Sequence, residues 1–427
     1  MSAAVLALVI LVISVVLFVT EWIPSWVTAV IACAAMALAG VGSVDEIFSG
    51  FSNSIIVLMV GAMVVGTAMF ETGAAQIVGR KVLSLSKGNP IIFLAAICIV
   101  PGVMSMFLAD TAVVAMILPI IASVCQSTNG MRNEDFALPL ALAALCGGSC
   151  TLIGCTPQLT ANALLSEMTG LSMGMWTLTP PGLCLFALMV LYVVFIGYRK
   201  GRRIWGGRPV STMDIDEEKI NSVKNGDYDK KKVITMLVIV TLMIASYILA
   251  ILPTAMTALC AALACIVFRC CTPNAALKGI NWDVVLFLGG CLGIANGLTT
   301  SGAGDLLGAA VQALIGDSVD SPMLVFAILV LLALVISQFI TNSTAIIIVQ
   351  PIAITLCTLY GFDYMAFTVG IMFAACTSFL TPLAASVIAM TKVAGYKFND
   401  YIRYTWPLLV VSYIGILVIV PFFYPLV

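Results

Sequence analysis

The sequence predicts an all-α polytopic membrane protein built of two inverted-topology repeats, each with a re-entrant helical hairpin and a broken transmembrane helix. Three observations predict it. Of 427 residues 62% are hydrophobic and 9% charged, with a mean hydropathy of +1.16, a composition that excludes a water-soluble globule. Segments of the first half recur in the second. The positive residues all fall on one side of a single topology.

Taken in order, apolar runs near the length of a bilayer core occur at 3–20, 24–41, 53–73, 175–198, 233–251, 254–271, 282–300 and 404–426,. The first of these lacks a positive leading region and reads as a retained span. Four stretches, 90–127, 137–168, 322–359 and 364–392, are too long for one simple span. Residues 199–232 form the extended polar segment, rich in Lys and Arg, and are expected in the cytoplasm by the positive-inside rule,. The chain thus divides into an N-terminal repeat at 1–198, a cytoplasmic linker at 199–232 and a C-terminal repeat at 233–427.

If 90–127 and 322–359 return to the side they entered, while 137–168 and 364–392 each cross once, all 19 Lys and Arg lie inside. The segments then left outside, 43–52, 301–321 and 360–363, carry only acids: Asp45, Glu46, Asp305, Asp317, Asp320 and Asp363. Both termini are expected outside, in an inner (plasma) membrane. Charge does not distinguish a hairpin from two spans at 90–127, but residues 109–111 hardly suffice for an aqueous turn, which favours the hairpin,.

The repeats are explicit. Residues 54–83 align with 283–314, placing Gly61 on Gly290 and Gly73 on Gly302 at one offset. DTAVVAMILPI (110–120) aligns with NSTAIIIVQPI (342–352), placing Pro119 on Pro351. With an odd number of crossings in each half, the second copy must lie upside down relative to the first, the architecture of secondary transporters.

Polar groups inside such stretches are expensive unless they face protein, water or an ion, so they mark function. The hairpin tips are Ala109-Asp110-Thr111 and Thr341-Asn342-Ser343-Thr344, each preceded by a serine, Ser105 and Ser337. The facing helix breaks run from Gly147 and Gly148 through Thr151, Gly154 and Thr156 to Gln158, and from Cys376 through Thr381 to Pro382. Unpaired N–H groups at a tip bind an anion without any lysine, and carbonyl, hydroxyl and carboxylate oxygens there can ligate sodium. Local readings stand beside these. Asp110 is either a cation ligand or protonatable coupling group, or a cap for the Ala112 or Val113 N–H. Thr111, Asn342, Ser343 and Thr344 contact ligand or cap their own helices, and Ser105 and Ser337 ligate or bond a carbonyl one turn back. Gly147, Gly148 and Gly154 serve ligand contact or close helix packing. Glu167, near the outer end of 137–168, is a candidate gate, whereas Glu71 and Asp283 lie near the membrane surface and read as solvated. The 14 cysteines lack metal or redox spacing and read as small core residues,.

Together with FVTEWIP (18–24), GFSN (50–53), GGSCTLIG (147–154), INWDVVLFLGG (280–290) and GYKFNDYIRYTWPL (395–408), these tips resemble the divalent-anion/sodium symporters, carriers of dicarboxylates, citrate and sulfate. The resemblance covers nearly the whole chain. It implies a homodimer that moves its substrate by an elevator motion. By position it implies substrate contacts at Thr111, Thr151, Thr156, Gln158, Asn342, Ser343, Thr344 and Thr381, and sodium ligands at Ser105, Asp110, Gly148, Ser337, Thr341, Asn342 and Pro382. The chain departs from the family motif where Asp110 stands for Asn, Ala109 for a hydroxyl, and Gln158 and Ile388 for the Asn of each break. The carboxylate departure matters because Asp110 beside a dicarboxylate is repulsive unless a cation or a proton intervenes.

The expected function is ion-coupled transport of a small divalent anion, sodium being the expected ion and a proton on Asp110 the variant, with no organic cofactor. Its partners are the anion and the bilayer, and no basic or aromatic-interleaved stretch suggests nucleic acid. The alternative is a cation- or proton-coupled antiporter or metalloid exporter. An anion channel fits less well, because two closed tips make a site and not a pore. An enzyme fits least, since the chain has no histidine and neither HExxH nor GxSxG.

Overall fold

A computed structural model describes residues 2–20, 22–74, 77, 89–128, 130–207, 229–303, 321–382 and 385–427. The expectations for Arg80, Lys81, Lys87, the acids at 305, 317 and 320 and most of the linker lie outside the described residues. The first half contains α1 (Ala3–Thr20), α2 (Ser25–Leu38), α3 (Val44–Phe48), α4 (Ser54–Glu71), α5 (Pro90–Ser105), α6 (Asp110–Ser127), α7 (Ala137–Gly148), α8 (Thr156–Thr169), α9 (Thr179–Tyr192) and α10 (Tyr198–Trp205). The second contains α11 (Lys230–Leu249), α12 (Thr254–Val267), α13 (Pro273–Gly279), α14 (Trp282–Thr300), α15 (Pro322–Ile336), α16 (Asn342–Tyr360), α17 (Tyr364–Ala375), α18 (Ser386–Met390) and α19 (Phe398–Phe423). Seven spans among the described residues are long and apolar enough to cross a membrane.

The hairpins are α5–α6 and α15–α16, and the broken helices are α7–α8 and α17–α18. Each hairpin's first arm packs on the first part of its own broken helix, α5 on α7 and α15 on α17. Each second arm packs on the last part of the opposite one, α6 on α18 and α16 on α8. The same exchange joins α2 to α14 and α12 to α4. It is built on the two glycines that aligned in sequence. A Cβ at Gly61 would lie 2.7 Å from the Ala258 carbonyl carbon, and one at Gly290 would lie 2.8 Å from that of Ala29. Glycine at these positions lets each helix lie directly on the backbone of its partner from the other repeat.

Two runs differ from the expected length. Helices α2 and α12 have 14 residues each, about 21 Å of rise and short of a bilayer core of about 30 Å. Pro24 and Pro253 fix their starts, and positive φ at Gly40 and Arg269 follows their ends. Conversely, α9 continues through a π-helical turn (193–197) into α10, so the first residues of the expected polar segment are helical.

That extension is pinned. Trp205 is fully buried, and its Nε1–H donates to Asp135 Oδ1 at 2.9 Å. Arg202 pairs with Asp135 Oδ2 at 3.2 Å and donates to the Gly130 carbonyl at 2.8 Å. Burial pushes the Asp135 carboxyl up from its ordinary range, against the pull of Trp205 and Arg202. Tyr396 locks the same corner by donating to the Glu134 carbonyl and accepting from Leu138 N–H.

Candidate functional site

Both hairpin tips and both breaks meet at one cavity of about 840 Å³. The first tip brings Ala109, Asp110 and Thr111, the second Thr341, Asn342 and Ser343, and the breaks bring Gly154, Cys155, Thr156 and Cys376. Of the predicted site residues, Asp110, Thr111, Thr156, Thr341, Asn342 and Ser343 therefore line the cavity. The opposite wall comes from α4, with Met63, Thr67 and Phe70, and from the start of α14, with Asp283 and Phe287. Among the described residues that line it, the charged ones are Asp110 and Asp283, and none is basic.

The N-termini of α6, α8 and α16 all open on this space, each carrying roughly half a positive charge. They are finished differently. At the second tip Thr341 caps α16: its Oγ1 accepts from Thr344 N–H at 3.4 Å and pairs with Thr344 Oγ1 at 2.7 Å. Asn342 Oδ1 is buried with no hydrogen-bond partner. At the first tip Ala109 has no side chain with which to cap. The Ala112 and Val113 N–H groups return to the Ala109 carbonyl, so Asp110 does not cap through them. Its Oδ1 accepts from Thr111 N–H at 2.8 Å and its Oδ2 from the Cys155 thiol at 3.4 Å.

The remaining predicted residues surround the cavity without lining it. Thr151 donates to the Met106 carbonyl, and Thr381 to the Gln338 carbonyl at 2.7 Å. Met106 and Gln338 each directly follow the hairpin serine, so the two threonines make the same pin in both repeats, holding a break against a tip. Gln158 is fully buried and donates to the Gly148 carbonyl at 3.1 Å, leaving Oε1 without a partner. Ser337 Oγ donates to the Leu334 carbonyl at 3.0 Å, whereas Ser105 Oγ is buried and unpartnered. Pro382 is buried at the end of the second break, and Ile388 is fully buried in α18. A Cβ at Gly154 would lie 2.1 Å from the Gly148 oxygen and 2.7 Å from the Ser105 carbonyl oxygen, so the break and the first hairpin bring these two carbonyls close together at Gly154.

Replacing Thr151 or Thr381 with Val is expected to cost about 1 kcal/mol of stability for each lost hydrogen bond, plus the orphaned carbonyl. Thermal unfolding of both single variants in detergent checks this, with similar losses expected because the pins are equivalent.

Sequence reasoning placed Cys155 and Cys376 within the breaks but read their thiols as small core groups, since nothing in their spacing sets them apart from the other core cysteines. It missed Gln338, whose Nε2 donates to the Thr377 carbonyl at 3.1 Å and whose Oε1 accepts from Leu380 N–H at 3.1 Å, bracing the second break.

A helical membrane protein whose halves exchange packing and bring paired tips and breaks to one internal cavity has the build of a secondary transporter. Residues 15–339 match the family model described as citrate transporter, and the chain belongs to that family. It is similar to an uncharacterized transporter, sll0640, of Synechocystis sp., with 29% identity over 189 residues, 44% of this chain and 31% of that one. The match thus spans less than a third of that relative. The likeness to the sodium-dependent dicarboxylate transporter SdcS of Staphylococcus saprophyticus is longer, 22% identity over 409 residues, covering 86% of this chain and 78% of SdcS. Among solved structures, the fold is shared with the YdaH transporter of Alcanivorax borkumensis at TM-score 0.66 and 13% identity, covering 88% of this chain and 85% of that one. It is also shared with Neisseria gonorrhoeae MtrF, described as an antimetabolite efflux pump, at TM-score 0.64 and 12% identity, covering 90% and 85%.

Proposed function

We propose that this chain is a sodium-coupled secondary transporter of a small divalent anion such as a dicarboxylate, working by elevator-type alternating access in the plasma membrane as a homodimer. The observation that carries the reading is the convergence of three helix N-termini on one cavity, edged by buried polar oxygens that lack partners. Ser105 Oγ, Gln158 Oε1 and Asn342 Oδ1 are such orphans at the tips and breaks, and a buried polar group without a protein partner favours a ligand. Family membership and the name of SdcS support the same reading.

The electrostatics divide the site into two ends. The second tip offers the Asn342 and Ser343 N–H groups at the start of α16, with no acid on that tip, and suits a carboxylate. At the first tip Asp110 offsets the N-terminal half-charge of α6, which makes that end suited to a cation. Ser105 Oγ, the Ser105 and Gly148 carbonyls and Asp110 supply hard oxygen donors of the kind sodium takes. A dianion beside Asp110 and Asp283 needs cations to neutralise it, and this is the physical basis for coupling.

Uptake of labelled succinate, malate, citrate or sulfate into proteoliposomes is expected to rise at least tenfold when an inward sodium gradient is imposed. Equal uptake of all four with and without the gradient would sink the proposal. The presence of two acids and no base among the described residues of the cavity wall favours a second reading, a cation-coupled antiporter or exporter in which Asp110 binds a cation directly. Accumulation driven by an outward rather than an inward ion gradient would identify it.

A further inference from the structure

A second, much smaller cavity, of about 20 Å³, lies where the first parts of the two broken helices end. Cys146 and Ser149 line it from the end of α7, with Phe373, Cys376 and Thr377 from the end of α17, and it is closed by α9 and by Ser412 of α19. Cys376 lines the large cavity as well, so one residue borders both spaces. None of the described residues that line the small cavity is charged. Its size admits one water-sized occupant and no polyatomic ion.

The two helix ends match position by position. Ser149 and Cys376 are the C-caps, and Cys146 and Phe373 each stand three residues before the cap. Both ends tighten by one residue: the Cys150 N–H reaches the Gly147 carbonyl at 3.0 Å, and the Thr377 N–H that of Ala374 at 3.1 Å. The Cys146 and Phe373 carbonyls therefore receive no backbone N–H among the described residues. Helix ends with such carbonyls carry roughly half a negative charge each. The hydroxyls beside them are placed to accept. Ser149 Oγ donates to the Cys146 carbonyl at 2.8 Å and Thr377 Oγ1 to the Ala374 carbonyl at 2.6 Å, which spends each proton and leaves the oxygen lone pairs. Ser412 is 7% exposed. Its hydroxyl has no hydrogen-bond partner among the described residues, although a serine in a membrane helix often bonds the carbonyl one turn back.

We propose that this cavity binds one dehydrated sodium ion, apart from the cation end at Asp110, through the Ser149, Thr377 and Ser412 hydroxyls and the carbonyls in the last turns of α7 and α17. The proposal deepens the transport reading above, on which the ion's role in coupling rests. Hard cations take oxygen ligands of this kind, and the C-terminal ends of half-helices hold such ions in transporters built from broken helices. The breaks thus divide their work: helix N-termini face the large cavity, where an anion is stabilised, and C-termini face the small one. An ion that joins the ends of α7 and α17 holds both breaks in the arrangement that shapes the anion site, so the two ligands are coupled without touching.

Thermal midpoints of the full-length protein in detergent, titrated with sodium chloride against choline chloride at constant ionic strength and without a dicarboxylate, test the assignment. Sodium is expected to raise the wild-type midpoint saturably, as a ligand of the folded state does. Ser412→Ala is expected to leave the midpoint in choline unchanged, because the hydroxyl it removes has no protein partner. It is expected to raise the sodium concentration for the half-maximal shift about tenfold, the loss of one contact to a charged group. Ser149→Ala is expected to weaken sodium similarly while also lowering the midpoint in choline, through its lost bond to the Cys146 carbonyl. The effect of Ser412→Ala is expected again in an Asp110→Asn background, which separates this site from the first tip. A cavity that holds only water would give Ser412→Ala the same midpoint change in both salts. That result would overturn the proposal, as would a wild type that sodium does not shift, or an effect of Ser412→Ala that vanishes in Asp110→Asn. The readout needs no transport, so a wild-type protein that binds sodium here yet moves no anion would overturn the transport reading alone.

Discussion

Asp110→Asn is expected to reduce sodium-driven anion uptake at least tenfold and to flatten its dependence on sodium concentration. The substitution isolates charge from structure. Asparagine Oδ1 can still accept from Thr111 N–H, the bond that the aspartate makes at 2.8 Å, so the first turn of α6 keeps its side-chain acceptor. What is lost is a full negative charge facing a cavity that holds no basic group among its described lining residues. If that charge holds the coupling cation, the cation binds more weakly and the dianion is left facing Asp283 with less neutralisation. A charged hydrogen bond or ligand contact is worth about 1.5–3 kcal/mol, enough for a tenfold effect or more. Asp110→Ala serves as the structural comparison, since it loses both the charge and the bond to Thr111. Initial rates measured across sodium concentrations check the prediction, and wild-type sodium dependence in Asp110→Asn would remove the carboxylate from coupling.

The second large effect is expected at Gly154. A single methyl there would sit 2.1 Å from the Gly148 oxygen and 2.7 Å from the Ser105 oxygen. All three are backbone positions, so no side chain can swing aside, and the break has to separate from the hairpin. Gly154→Ala is therefore expected to cost about 3 kcal/mol, at the upper end for overpacking, and to abolish uptake. Gly66→Ala is the matched control. Gly66 also lines the cavity, yet a Cβ there meets nothing within 4 Å, and alanine improves helix propensity. Thermal unfolding and uptake measured on the pair check this, and a stable, active Gly154→Ala would mean that the tip and break are not held as closely as described.

Much of this was legible in the sequence because the bilayer imposes local rules. A polar tip such as Ala109-Asp110-Thr111 stands out in an apolar run, and the alignment of Gly61 with Gly290 already announced a repeat. What that alignment did not say is that each glycine lies against the other repeat, on Ala258 and on Ala29. The lengths of α2 and α12 were overestimated because hydropathy continues past the point where the backbone turns, at Gly40 and Arg269. Thr151 and Thr381 were legible as polar residues in a helix break, but their bonds to the Met106 and Gln338 carbonyls depend on how closely the hairpin approaches. Cys155 carried no signal, since a thiol beside a carboxylate and a thiol in a core are the same letter.

The sequence by itself determined that the chain lives in a membrane, that it is a duplicated structure turned upside down on itself, and which few oxygens interrupt its apolar stretches. Those properties follow from transfer free energies and periodicities that act residue by residue. The tertiary structure alone decided which of these oxygens face a common space and which fasten one segment to another. It also decided that Asp283, at the start of α14, shares the cavity wall with the first hairpin tip. Such facts depend on which segments from opposite ends of the chain come within hydrogen-bonding distance, and no local pattern encodes that distance.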